Sequence, residues 1–482
     1  MIDPSQDRVL RAIALLAVAA WSSTAWAQAP LAVPQAGQSS RRTAPSATAG
    51  SGPTAPHLMA RPPAVARLAS AAESLPAPDT LPQPEAVPPR PPADQYEVTL
   101  DEITQIALAN SPVIREAQNQ LVAARGRAVQ AGLYPNPTFG HASPQLAGNQ
   151  TQYNAYVIQD LVTRGKIGLD AAAAGRAAIE AEYSLVRARF DVLTTVRQRF
   201  FTALASQQRA EVLANMVEIA RSSRDIGQRL FQLQVGTKSN LLLLEIELSK
   251  AEAEQINATT LAETNRRQLA AATGLLDLPI PRVRGDLTVR LPEYDLLAVQ
   301  QAVIARNATA QSAQVEIART QIVLRRAEVE PFPNINMMGG YQNQQPGAFA
   351  PETQGIYQLQ VVVPLFNRNQ GNIRAAQAGI GAAVAQLNRV HNELANAAAA
   401  AMGRYLVARQ LASRYETEIL PNARDVQSIS ARLYREGQTD FLVYLNAQRA
   451  LLDANLSYIS AQEARWLAGA EIAGLLQSEQ FP

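Results

Sequence analysis

No proline occurs between Pro144 and Pro279. Within that window residues 169–233 carry uninterrupted helical spacing, and residues 241–272 carry it again after the short break QVGTKSN (234–240). A helix of about 60 residues runs roughly 90 Å at 1.5 Å per residue, wider than any ordinary globular domain. Ala-, Gln- and Arg-rich segments with 5% aromatic residues suit long helices packed along narrow seams better than a thick core. Mainly α architecture on an elongated plan is therefore expected.

The plan occurs twice, at an offset near 200 residues. ALANSP (107–112) is answered by VIARNA (303–308), and YPNPTF (134–139) by PFPNIN (331–336). DLVTRGK (160–166) is answered by PLFNRNQ (364–370), EVLAN (211–215) by EILPN (418–422), and QVGTKSNLLLLE (234–245) by REGQTDFLVYLN (435–446). Shared order at an offset that stays near 200 marks a tandem duplication. The two repeats are placed at 96–290 and 291–482, with strands about 136–162 and 333–366 and long helices about 169–272 and 371–477. Pro421, which has no counterpart in the first copy, is expected to kink or restart the second long helix.

Ahead of these repeats, Arg8 and Arg11, the apolar run AIALLAVAA (12–20) and Ala25-Trp26-Ala27 form a secretory signal over 1–27. Residues 28–95 are dominated by Pro, Ala, Ser and Gly and are expected to form a disordered linker. Order should begin near Tyr96, with Thr99 or Asp101 capping the first helix.

Each copy contains a window almost free of charge. Residues 135–159 hold no Asp, Glu, Lys or Arg, and residues 331–366 hold only Glu352, in a chain that is 17% charged. Each window divides into two strand-like runs around a turn. In the last run Tyr357, Leu359, Val361 and Val363 point one way while Gln358 and Gln360 point the other, the alternation of a membrane barrel strand. Four strands in lipid leave two unpaired edges, so one chain cannot close the barrel. Two chains give eight strands with a filled interior; three give twelve strands and a lumen. A homotrimer in lipid, with its helices projecting on the aqueous side, is the smallest pore. Pro135, Pro333 and Pro364, with Arg164 and Arg368, mark the strand–helix junctions.

LDEITQIALANSP (100–112), AGLYPNPTF (131–139), EILPNARDVQSISARLYREGQTDFLVYLNAQRALLDA (418–454) and the duplication resemble the TolC-type outer-membrane efflux proteins, the outer membrane factors of tripartite efflux systems. QDLVTRGKIGLDAAAAGRA (159–177) is similar to the heavy-metal branch of that family. The resemblance implies a trimeric 12-stranded barrel in outer-membrane lipid continuing into a periplasmic α-helical tunnel. It implies a passive exit duct coupled through a periplasmic adaptor (membrane fusion) protein to an inner-membrane pump of RND type. Metal ions or small toxic compounds are the expected cargo. Type I protein secretion, or a periplasmic structural coiled-coil role, are the alternatives.

A duct does its work where it docks and where it closes. The resemblance places the helix-to-helix turns near Gly236 and Gly437 at the periplasmic tip. Each Gly is expected to end its helix in the left-handed region, and Thr237, Ser239 or Asp440 to cap the next. Leu433, Tyr434, Arg435, Glu436 and Thr439 are candidates for the adaptor surface. Where relatives carry acidic aperture residues this chain has Val443 and Asn446. Closure by Tyr434 and Asn446 is therefore expected, with Asp440 the nearest acid. The three histidines, His57, His141 and His391, are scattered without the spacing of a metal site. Basic residues are spread among acidic ones, which excludes a nucleic-acid footprint. Zero cysteines exclude thiol catalysis and zinc–thiolate sites. No phosphate loop, nucleophile elbow or cofactor motif is present, so neither an enzyme nor a cofactor is expected.

Overall fold

The computed structural model describes residues 97–145, 150–346, 352–436 and 438–481. The signal and linker segments, His57 and Gly437 lie outside the described residues. All described elements fall in one unit, Glu85–Pro482.

The chain opens with β1 (Glu97–Val98), α1 (Leu100–Asn110) and α2 (Pro112–Ala131). It continues with β2 (Thr138–Gln145), β3 (Gln150–Leu161), α3 (Lys166–Gln232) and α4 (Lys238–Ala272). After β4 (Arg282–Val283) the order recurs as α5 (Leu296–Arg306), α6 (Ala308–Val329), β5 (Ile335–Pro346) and β6 (Glu352–Val361). Then come α7 (Gln370–Arg414), a π-helical turn (Tyr415–Ile419), α8 (Leu420–Arg435) and α9 (Phe441–Leu476).

Local chemistry sets the boundaries. Thr99, rather than Asp101, caps α1: its Oγ1 accepts from the Glu102 N–H at 3.4 Å while the Thr99 N–H donates to Glu102 Oε2 at 3.0 Å. Asn307 caps α6, accepting from the Thr309 N–H at 2.9 Å. Helix α3 is 67 residues long, about 100 Å. Its counterpart is broken where the sequence requires it. Pro421 has no N–H to donate and its ring crowds the preceding turn, and the chain widens into the π-turn Tyr415–Ile419 just before it.

β1 and β4 pair in parallel, and a separate sheet has four antiparallel strands in the order β2-β3-β5-β6. Helices follow suit, with α2 packed on α3, α3 on α6 and α6 on α7. Each strand is thus joined, at one end, to a helix that keeps its place in the row. Farther from the sheet, α4 packs on α3, α3 on α9, and α9 on both α7 and α8.

The largest core sits midway along the helices, where α3 meets α9 and α7. Phe201 stacks on Trp466 at 4.2 Å between centroids, and Phe200 meets Phe201 edge-on at 5.4 Å. The irregular segment after α4 is stitched onto this core by backbone acceptors. Trp466 Nε1 donates to the Leu287 carbonyl at 2.9 Å, Arg465 Nη2 to the same carbonyl at 2.6 Å, and the Tyr405 hydroxyl to the Pro292 carbonyl at 3.0 Å. Arg197 holds the C-terminal segment through the Ser478 and Glu479 carbonyls at 3.1 and 2.6 Å. These donors reach acceptors that irregular backbone leaves free.

Candidate functional site: a two-faced sheet, its junctions and the helix tips

Register decides which strand residues share a face. Phe139 pairs with Val157, Val157 with Gly339, and Gly339 with Tyr357. One step along, Leu161, Ile335 and Val361 form another row on the same face, as do Gln159, Met337 and Leu359. That face carries no Asp, Glu, Lys or Arg, and its large side chains are uncovered, with Phe139 77% and Tyr357 87% exposed. Large, uncovered and apolar is the wrong combination for water. The opposite face carries Asn154, Asp160, Asn336, Gln342, Gln354, Gln358 and Gln360. Asn336 Nδ2 donates to Asp160 Oδ1 at 2.6 Å there. Met337 and Met338 fall on opposite faces, as the alternation requires. Gly340 is needed for close approach: a Cβ there would lie 2.2 Å from the Ala155 carbonyl oxygen. Strands of 8–12 residues have the length that a tilted crossing of the hydrocarbon layer needs. The outer edges of β2 and β6 have no partner within the described residues.

At the end of the sheet nearest the helices, Pro333 and Pro364 line a recess of about 830 Å³ together with Asp160, Lys166 and Glu330. Pro135, Pro333 and Pro364 lie just outside the strand ends, where a missing N–H costs no ladder bond. The Pro135 carbonyl accepts from Gln159 Nε2 at 3.0 Å, and the Pro333 carbonyl from Thr163 Oγ1 at 2.8 Å. Arg164 adopts φ +60° and lays its guanidinium 4.1 Å from the centre of the Phe332 ring. Gly165 at φ +66° and Asn369 at φ +59° turn the chain into α3 and α7 at equivalent points. The Arg368 N–H donates to Gln370 Oε1 at 2.8 Å.

The centre of this junction is a residue that the sequence reading passed over. Lys166, the first residue of α3, is 3% exposed. Its ammonium donates to the Phe332 carbonyl at 2.7 Å, the Glu330 carbonyl at 3.2 Å and Asn334 Oδ1 at 3.2 Å, with Glu330 Oε2 at 3.6 Å. It fastens the start of α3 to the chain entering β5, 164–168 residues away. The available signal was a cation at a helix N-terminus, where the helix dipole disfavours it and some other partner must compensate.

At the tips, the left-handed residue after α3 is Gln234 at φ +60°, not Gly236. Gly236 serves a different need. Its N–H and that of Val235 both donate to the Leu230 carbonyl at 3.0 Å, and a Cβ at Gly236 would crowd Leu230 Cβ at 3.2 Å. Thr237 caps α4, accepting from the Asn240 N–H at 3.2 Å, while Ser239 lies within the helix. Asp440 precedes α9 but makes no side-chain cap bond. Arg435, Glu436 and Asp440 are exposed, and Leu433 and Thr439 half-buried.

Tyr434 stacks on Tyr444 at 5.3 Å with the rings 1° from parallel, and meets Phe441 at 5.8 Å. These rings pack with Leu244 and Leu445, joining the two tips. Burial, followed by Tyr444 and Asp440, pushes the Tyr434 hydroxyl above its ordinary value. Of the three aperture candidates, Val443 and Asn446 are exposed and Tyr434 is half-buried in this inter-tip cluster.

Residues 299–476 match the model of the family described as "Outer membrane efflux protein". The matched stretch lies in the second half of the chain. The chain is 22% identical over 386 residues to the cobalt-zinc-cadmium resistance protein CzcC of Cupriavidus metallidurans, covering 79% of this chain and 90% of the relative. Its fold superposes on a crystal structure of CusC with a TM-score of 0.67 at 15% identity, covering 78% of this chain and 91% of that one. It also superposes on the Campylobacter jejuni CmeC outer membrane channel, with a TM-score of 0.65 at 14% identity, covering 79% and 87%. The family description and the channel superpositions indicate an outer-membrane protein with a periplasmic extension.

Proposed function

We propose that this chain is a passive trimeric exit duct, the outer-membrane component of a tripartite efflux system whose cargo is divalent metal ions. The observation that carries the reading is a four-stranded sheet with one apolar face and two open edges, each strand joined to a helix of the same row. Three copies joined edge to edge close twelve strands around a lumen, and the helical rows extend it as a tunnel. The similarity to CzcC supports metal cargo. A conduit needs no bond-making chemistry and no resident metal. The division into repeats at 96–290 and 291–482 belongs to the same proposal, as do the adaptor and an RND-type pump as partners.

Growth of a deletion strain on cobalt, zinc and cadmium salts beside a panel of antibiotics tests the cargo. Metal sensitivity restored by the wild-type chain supports the reading; sensitivity to organic compounds alone, or loss of an exported protein, overturns it. For the docking surface, Arg435→Glu and Glu436→Lys are expected to reduce metal tolerance about tenfold while leaving the trimer intact, since opposed charge at an interface costs on the order of 1–2 kcal/mol. Loss of the trimer itself would assign these side chains to assembly instead.

A further inference from the structure

Helices α3 and α6 meet along the seam between the two halves of the chain. On that seam Glu180 from α3 and Glu316 from α6 share one guanidinium. Arg319 Nε donates to Glu180 Oε1 at 3.1 Å and to Glu316 Oε2 at 2.8 Å, and Arg319 Nη2 to Glu316 Oε1 at 2.6 Å. The three side chains are 22%, 29% and 33% exposed, so water screens them only in part. Beside them lies a cavity of about 230 Å³, lined also by Tyr183, Ser184, Ser312 and Gln386, which gives solvent protons a route in.

Nearby cations face water or have other partners. Arg187 also lines this cavity but is exposed, 4.0 Å from Asp191, and Arg125 of α2 pairs with Glu182 at 2.6 Å. From α7, Arg389 donates to Gln386 Oε1 at 2.8 Å and pairs with Glu393 at 2.5 Å. His391, also on α7, has a buried Nε2 without a partner. Two carboxylates against one guanidinium therefore leave one negative charge in excess, and a shared proton removes it.

We propose that Glu180 and Glu316 form a proton-operated clasp across the seam between the two halves, closed when they share a proton and loosened when both are ionised. Burial first, then the hydrogen bond and charge of Glu316, raise Glu180 to about 7. The sign follows from linkage. A carboxyl raised in the folded state contributes stability that is complete below its unfolded value of about 4.5 and lost as pH rises through about 7. The seam is therefore tightest in acid and loosens just above neutrality, a range that an exported protein can meet.

The test uses the full-length trimer in detergent. Amide exchange in the α3 and α6 segments around Glu180 and Glu316, corrected for intrinsic rates, is expected to accelerate about tenfold between pH about 5 and about 8, a figure discounted for partial exposure. In Glu180→Gln and Glu316→Gln that pH dependence should vanish. Infrared spectroscopy of the wild-type trimer supplies a readout independent of variant folding: a protonated-carboxyl band bleaching with a midpoint near 7. A pH dependence that survives in both Gln variants, or absence of that band at pH about 6, overturns the proposal.

Discussion

Lys166→Met is expected to unfasten the sheet from the helices and to lower stability by about 3–5 kcal/mol per protomer. Methionine keeps the unbranched shape and apolar packing of the lysine stem, one atom shorter, but takes away every donor. The Glu330 and Phe332 carbonyls and Asn334 Oδ1 then lose their shared partner, and Glu330 loses one of its two cations. Asn334 Oδ1 keeps only the Thr163 N–H at 3.3 Å. Because Lys166 is 3% exposed, little water is at hand to replace the ammonium. Arg326 still holds Glu330 and Asp170, so the loss stays at the junction. Heating the detergent-solubilised trimer and following its dissociation checks this: the variant should fall apart well below the wild type. A dissociation temperature unchanged by the substitution would show that the ammonium is incidental.

The second large effect comes from the sheet. Leu359→Arg places a cation on the apolar face, and near the middle of the bilayer this costs about 2–4 kcal/mol in each protomer. The neighbouring Gln358→Arg places the same cation on the polar face, where a solvated lumen lets it keep its hydration. The pair is a controlled comparison, with one residue of separation and the same new side chain. Leu359→Arg should sharply reduce the yield of heat-modifiable trimer in the outer-membrane fraction, while Gln358→Arg should assemble and change only what passes through. Equal yields from both would mean that the two faces meet the same medium.

How far the fold was legible depends on which physical signal each element carries. The strands were readable because alternation survives in sequence even when neighbouring strands lie far apart along the chain, and depletion of charge marks the same windows. The break at Pro421 was readable because a missing N–H acts locally, although its form, a π-turn ahead of the proline, depends on how the preceding backbone relaxes. Gly236 misled because glycine satisfies two needs, positive φ and close approach, that look alike in sequence; here Gln234 takes the positive φ.

Contacts made by side chains to distant irregular backbone stayed hidden. Trp466 and Arg465 reach the Leu287 carbonyl across 178–179 residues, and no local pattern announces such an acceptor. Lys166 belongs to the same class, as does the Glu180–Arg319–Glu316 group, whose members look like ordinary solvated helix charges until α3 and α6 are brought together. At the tips, Tyr434 was visible as an aromatic near a turn, but its stacking on Tyr444 required the geometry of both helices.

The duct account stands on the sheet facing hydrocarbon on one side and water on the other. The native chain has no cysteine, so single cysteines at positions 357, 358, 359 and 360 can each carry a fluorophore without background labelling. In proteoliposomes, labels at 357 and 359 should be quenched by nitroxide lipids and shielded from aqueous iodide, with the reverse at 358 and 360. Four labels that respond alike to iodide and ignore the nitroxide lipids would contradict the account.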